Sequence, residues 1–156
     1  MIRYLYVFDL RVDELKAKEQ KDLILIVDDD TDFLNTISTL LKKEGYRVDT
    51  ARTGSEAIDK CREEFYSLML IDIKIPDMEG VELLTQIENT EPEIRKIILT
   101  GYPSLENAQR ALNLGAHAYL IKPIEPETLL RTVKQQLEKQ YKEFKDRYTT
   151  IGETNP

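Results

Sequence analysis

Five polar residues fall at equivalent points of the chain, each at or just past the end of an apolar run. Asp28 and Asp29 follow Leu23-Ile-Leu-Ile-Val27, and Asp72 closes Ser67-Leu-Met-Leu-Ile. Thr100 ends Ile97-Ile-Leu, and Lys122-Pro123 follows Ala118-Tyr-Leu-Ile121. If the runs are parallel strands, these side chains gather at the carboxyl edge of one sheet, where open α/β sheets bind ligands. Three carboxylates brought together there repel one another and need a cation to stay ionised. Oxygen-only donors select a hard divalent ion, and few protein ligands with room for water and phosphate suit Mg2+. A carboxylate beside such an ion is a reasonable nucleophile toward phosphorus and would form an aspartyl phosphate. A metal, an ammonium and a hydroxyl are the groups that neutralise phosphoryl oxygens during transfer.

The elements needed to position these residues are legible in the patterning. Leu23–Asp28 predicts a strand buried on both faces, because continuous Ile, Leu and Val runs suit a covered parallel sheet. Phe33, Leu34, Ile37, Leu40 and Leu41 recur at helical spacing over 31–44, with Gly45 placed to end the helix. A short strand over 46–51 follows. Thr53-Gly-Ser-Glu56 then has the form of a capping box opening a helix to about Glu64. Further strands are expected over 68–72, 96–100 and 119–121. Helices are expected from about Gly80 to Asn89, from Ser104 as N-cap to Gly115, and from Pro126 onward. Strict alternation of five strands and five helices implies right-handed crossovers and a doubly wound α/β sheet.

Length and composition agree with one soluble domain. The chain has 156 residues, 41% hydrophobic and 33% charged, which suits a globular rather than a disordered protein. A net charge of −7 argues against a nucleic-acid-binding surface. No apolar stretch approaches the roughly 20 residues that span a bilayer. The opening Met1–Phe8 is short, aromatic and followed by Asp9, unlike a secretory signal, so a cytoplasmic location is expected. The single cysteine, Cys61, cannot form an internal disulfide and reads as a small buried hydrophobe. His117, the only histidine, cannot alone build a metal site or a catalytic dyad.

Both ends stand apart from the alternating unit, giving expected bounds of 1–22 for an extension or linker, 23–137 for the domain and 138–156 for a helical overhang and tail. Residues 2–12 carry a weak strand-like alternation. Apolar positions 130, 133, 137, 141, 144 and 148 follow the period of a straight helix. A helix that long would outrun a strand of about 17–20 Å. Tyr141, Phe144 and Tyr148 are therefore expected to be exposed unless something covers them, and a homodimer contact through the termini is one expectation.

Four stretches together carry a family resemblance: Ile26-Val-Asp28-Asp29-Asp30, Leu70-Ile-Asp72-Ile-Lys-Ile-Pro76-Asp-Met-Glu-Gly80, Leu99-Thr100-Gly101, and Ala118-Tyr119-Leu-Ile-Lys122-Pro123. In order and spacing they resemble the receiver domain of two-component response regulators, over about Leu23 to Leu137. The resemblance implies a flavodoxin-like sheet of strand order 2-1-3-4-5. It implies that Asp72 is the phospho-acceptor, served by a sensor histidine kinase or a phosphotransfer protein. Asp29 would ligate Mg2+ directly, Asp28 would hold its waters, Asp72 would belong to the same metal site, and the backbone carbonyl of Lys74 would be the third protein ligand. Lys122 would pair with the phosphoryl group, Thr100 would move to hydrogen-bond it, and Tyr119 would be the aromatic switch. The Lys122-Pro123 peptide would be cis. Such a protein catalyses its own phosphorylation and slow dephosphorylation but is not a turnover enzyme. Its output would run through protein contact on the face made by the fourth helix, fifth strand and fifth helix, with neither nucleic acid nor membrane as partner.

Competing readings exist for the same residues. A haloacid-dehalogenase-like phosphatase shares Asp, Thr, Lys and Mg2+, but its nucleophile leads the chain and its acidic pair comes late; here the pair comes first and position 74 is Lys. A receiver scaffold with a silent site is the third reading. Asp28 and Asp29 could simply cap a helix, and Tyr119 could be an ordinary core aromatic. Lys74 and Tyr102 flank the entrance to Asp72, and Gly101 leaves space there, so the lifetime of an acyl phosphate is left open.

Overall fold

Every apolar run that precedes or contains a reactive residue is a strand in the computed structural model, which describes residues 22–87, 90 and 92–152. The order is β1 (Leu23–Val27), α1 (Thr31–Lys43), β2 (Arg47–Ala51), α2 (Gly54–Glu63) and β3 (Leu68–Asp72). It continues with α3 (Gly80–Gln86), β4 (Arg95–Thr100), α4 (Leu105–Asn113), β5 (Ala118–Ile121) and α5 (Pro126–Gly152). The sheet is wholly parallel in the order β2-β1-β3-β4-β5, as the resemblance implied. The strand-like pattern of 2–12, nearly all of 13–22 and the side chain of Tyr148 lie outside the described residues. No helix among the described residues is long and apolar enough to cross a membrane.

Two core layers explain why the central strands read as unbroken apolar runs. Leu25, Val27, Met69, Ile71 and Ile98 pack under α2, α3 and α4. Ile24, Ile26, Leu70, Ile97 and Leu99 face α1 and α5 through Leu34, Ile37, Leu41, Leu129 and Val133. Alternate side chains enter opposite layers, so each must be apolar. Each fully buried Leu or Ile contributes on the order of 1.5–3 kcal/mol. Cys61 packs against the first layer, and burial pushes its thiol up to about 11.

Helix ends follow their local chemistry. Asp30 caps α1 by accepting from the amides of Asp32 (3.0 Å) and Phe33 (3.1 Å). Ser104 caps α4 by accepting from Asn107 (3.0 Å). Gly45 and Gly115 follow α1 and α4 at positive φ, 87° and 102°, a conformation glycine adopts without strain. The expected box at α2 is only half formed. Thr53 accepts from the Glu56 amide, but the Glu56 carboxylate reaches one residue further back, to the Arg52 amide. The reciprocal box lies instead at α3, between Glu79 and Glu82. That helix ends at Gln86, short of the expected Asn89.

The expected overhang of α5 needs correction. The helix stays attached well past Leu137, because Gln140 is buried and its amide donates to the carbonyls of Ser67 (2.9 Å) and Glu93 (2.7 Å). Glu143 pairs with the buried Arg95, and Phe144 is 8% exposed, not solvent-facing. Tyr141 is exposed as expected. These contacts hold the middle of α5 against the amino-terminal edge of β3 and β4. Replacing Gln140 with Ala removes both carbonyl contacts from a buried place. The expected cost is about 1–3 kcal/mol, read as a lower urea midpoint with an unchanged slope.

Candidate functional site

The loops leaving β1, β3, β4 and β5 converge at the carboxyl edge of the sheet. Because β1 and β3 are central neighbours, Asp28 and Asp72 arrive side by side. One carboxylate oxygen from each of Asp28, Asp29 and Asp72 lies within 4.8 Å of the others. Asp28 is 1% exposed, Asp72 is half-buried and Asp29 is open to solvent. Lys122 crosses from β5 to bridge two of them. Its ammonium is 2.6 Å from Asp28 Oδ2 and 3.6 Å from Asp72 Oδ2. The tighter contact goes to Asp28, the carboxylate with least access to water and so the one most in need of a counter-charge. The peptide between Lys122 and Pro123 is cis.

Thr100 is fully buried at the end of β4, and its hydroxyl oxygen accepts from the Tyr102 amide at 2.9 Å. The backbone of Lys74 is at the site, where its amide donates to Asp72 Oδ1 at 3.4 Å. Tyr119 lies back from the edge. It pairs in register with Ile98 and packs into the layer under α4. Thr100, two residues after Ile98, lies on the same face of the sheet. The Tyr119 hydroxyl is buried with no hydrogen-bond partner among the described residues.

Several contributors were not picked out from the sequence. Phe33, read only as part of a helical stripe, places its ring centroid 4.0 Å from the Lys122 ammonium. Asp77 accepts from the amides of Gly54 (2.8 Å) and Ser55 (2.9 Å), and from the Ser55 hydroxyl. It thereby ties the loop after Asp72 to the first turn of α2. Gly80 brings the start of α3 against the acceptor strand: a β-carbon there would meet the Asp72 carbonyl oxygen at 2.1 Å. Only the Gly80 signal was available beforehand, as a glycine opening a helix. His117 extends the β4–β5 pairing, its ring accepting from the Lys96 amide.

Burial raises the proton affinity of Asp72; Lys122 opposes the shift, and the charges of Asp28 and Asp29 add to it. Two of these causes weaken as soon as a positive charge joins the cluster. Three oxygen donors, one of them buried and only one bonded closely to an ammonium, fit a hard divalent cation. Neither imidazole nor thiolate is among the donors, which disfavours a softer metal.

Known proteins are similar to this chain in sequence and in fold. The profile described as "Response regulator receiver domain" matches residues 24–134. ZraR of Klebsiella oxytoca, a transcriptional regulatory protein, is 41% identical over 119 residues, which are 76% of this chain and 27% of that protein. AlgB of Pseudomonas syringae, an alginate biosynthesis transcriptional regulatory protein, is 32% identical over 78% of this chain and 27% of its own length. The chain thus spans about a quarter of these relatives. A CheY-like receiver domain protein from Methanospirillum hungatei superposes with a TM-score of 0.76 at 48% identity, covering 80% of this chain and 99% of that one. The beryllofluoride-activated NtrC4 receiver domain dimer gives 0.72 at 35% identity over 76% and 98% of the two chains.

Charge crowding has a consequence for stability. Asp72 binds its proton more tightly folded than unfolded, so ionising it opposes folding. That penalty is absent below the unfolded carboxylate range and grows as pH rises through the titration of folded Asp72. In metal-free buffer at pH 7, Asp72→Asn should raise the urea midpoint. The gain should fade as the pH falls below about 4; a midpoint equal to wild type at pH 7 would count against the crowding.

Proposed function

The chain belongs to the response regulator receiver domain family, whose members are phosphorylated on aspartate in two-component signalling, and on that premise we propose that Asp72 is the phospho-acceptor. The observation that carries this is the convergence of Asp28, Asp29 and Asp72 with Lys122 at one sheet edge. Asp72 is the best candidate of the three. Asp28 is buried and committed to Lys122, whereas Asp29 is exposed and has no ammonium bridging it to the others among the described residues. A carboxylate oxygen of Asp72 attacks the phosphorus of a phosphohistidine on a sensor kinase or phosphotransfer protein. The P–N bond breaks as the O–P bond forms, and the histidine is released. A receiver of this kind is a switch rather than a turnover enzyme, and the phosphatase alternative is not favoured.

Each neighbouring group takes a part suited to its position. Lys122 stands close enough to Asp72 to meet a phosphoryl oxygen with its ammonium, and Phe33 beneath it helps hold the charge in place. Asp29, Asp72 and the carbonyl of Lys74 are the proposed ligands of Mg2+, with Asp28 holding its waters. When bound, the ion would supply the positive charge that lets three carboxylates remain ionised. Thr100 donates its hydroxyl to the phosphoryl group. Tyr119 is the aromatic that answers, because a buried hydroxyl without a partner costs about 1–3 kcal/mol and keeps a second position within energetic reach. We assign the downstream protein to the α4–β5–α5 face, where Leu105, Leu112 and Ile121 are exposed.

Titration with beryllofluoride and Mg2+, followed by amide NMR, tests the assignment. Shifts should centre on the ends of β1, β3, β4 and β5 and require both reagents. Asp72→Asn should abolish them, and Thr100→Ala should weaken beryllofluoride binding about tenfold or more, as expected for one charge-assisted hydrogen bond. Shifts that persist in Asp72→Asn would remove Asp72 from the role.

A further inference from the structure

Lys74 and Tyr102 lie two residues beyond Asp72 and Thr100, on the loops that leave β3 and β4. The Lys74 ammonium sits 3.8 Å from the centroid of the Tyr102 ring. Each partner is also tied to the reactive group beside it. The Lys74 amide donates to Asp72 Oδ1, and the Tyr102 amide donates to the Thr100 hydroxyl oxygen. One cation–π contact therefore spans the mouth of the site, with its two feet on the proposed acceptor and the proposed responding hydroxyl. Tyr102 is 66% exposed and Lys74 is exposed as well, so burial does not hold them together. The attraction of the ammonium for the ring face does.

We propose that Lys74 and Tyr102 form a latch that holds the unphosphorylated arrangement, and that Lys74 leaves the ring for the phosphoryl group once Asp72 is modified. The proposal rests on Asp72 being the acceptor. Phosphorylation adds negative charge directly beside the Lys74 backbone. Lys122 cannot answer it alone, because its closest contact is already with Asp28. A charge-assisted hydrogen bond to a phosphoryl oxygen outweighs an exposed contact with an aromatic face. Turning the Thr100 hydroxyl toward the same group also takes from the Tyr102 amide its acceptor. Both feet of the latch loosen together, and the ring is released at the start of the loop leading to α4. Lys74 is in this sense a second cation for the phosphoryl group, and Tyr102 is its resting place.

The test is NMR of the full chain with labelled lysine side chains, using beryllofluoride with Mg2+ as the probe. In the free protein the Lys74 ε-methylene signals should lie upfield because of the Tyr102 ring current, and they should lose that shift in Tyr102→Leu. Saturating beryllofluoride should bring the wild-type signals to the Tyr102→Leu position. Tyr102→Leu should also bind beryllofluoride about two- to fivefold more tightly, since the free state loses an exposed cation–π contact. Lys74→Met, which keeps the backbone and the length, should bind more weakly than wild type, with or without Tyr102→Leu. Lys74 signals that stay upfield at saturation, or a Tyr102→Leu affinity no higher than wild type, overturn the latch. If those signals fail to move while Asp72→Asn abolishes the response, the latch alone falls. A wild-type protein with no Mg2+-dependent response overturns the assignment of Asp72 and the latch with it.

Discussion

Like charges held within 4.8 Å of one another are the constraint around which this edge of the molecule is arranged. Asp28 is buried, Asp72 half-buried, and both depend on a single ammonium. At a separation of about 4 Å and an effective dielectric near 20, two unit charges interact by about 4 kcal/mol. Such repulsion is tolerable only where the surrounding fold is rigid. Lys122 relieves part of it, and its position follows from β5 lying at the sheet edge next to β4. Removing one member of a buried charge pair typically costs about 3–5 kcal/mol. The cluster is therefore stable in its present form yet ready to accept further positive charge.

Rigidity around the acceptor comes from backbone contacts on both sides of its strand. Gly80 lets α3 begin in direct contact with the Asp72 peptide, and the Gly80 amide donates to the Ile73 carbonyl at 2.8 Å. Between them, Asp77 fastens the loop to α2 through two amides and a hydroxyl. The Glu79–Arg110 ion pair joins the start of α3 to α4. Exposed ion pairs of that kind add little on their own, but this one joins neighbouring helices on the same face of the sheet. The acceptor loop is thus fastened at both ends, by the Gly80 amide and by the Asp77 carboxylate.

Much of this was legible in the sequence because it depends on short-range signals. The buried strands announce themselves as unbroken apolar runs, and the reactive residues by their position after those runs. Ser104 was recognisable as a cap because a cap needs only its own helix. What escaped depends on partners distant in the chain. Gln140 looks like a solvent-face residue in an amphipathic helix; only the folded sheet presents it with two carbonyls. Phe144 was expected to be exposed because the helix was measured against a single strand rather than against the connections at the sheet's far edge. Phe33 beside Lys122 and the contact between Lys74 and Tyr102 join residues from different elements, which no local pattern encodes. The half-formed box at Thr53 failed for a subtler reason: the Glu56 carboxylate prefers an amide one residue earlier, a choice set by the turn after β2.

The attachment of α5 at Gln140 has a mechanical corollary. About 14 residues precede that point in the helix and about 12 follow it, or roughly 21 Å and 18 Å at 1.5 Å per residue. The rod is not held at that point alone: Leu129, Val133 and Leu137 seat its first half in the core, and Glu143 and Phe144 continue the seam past Gln140. A displacement of its beginning, beside Lys122 and β5, would therefore travel along the seam as a slide of the whole helix rather than as a pivot about one residue.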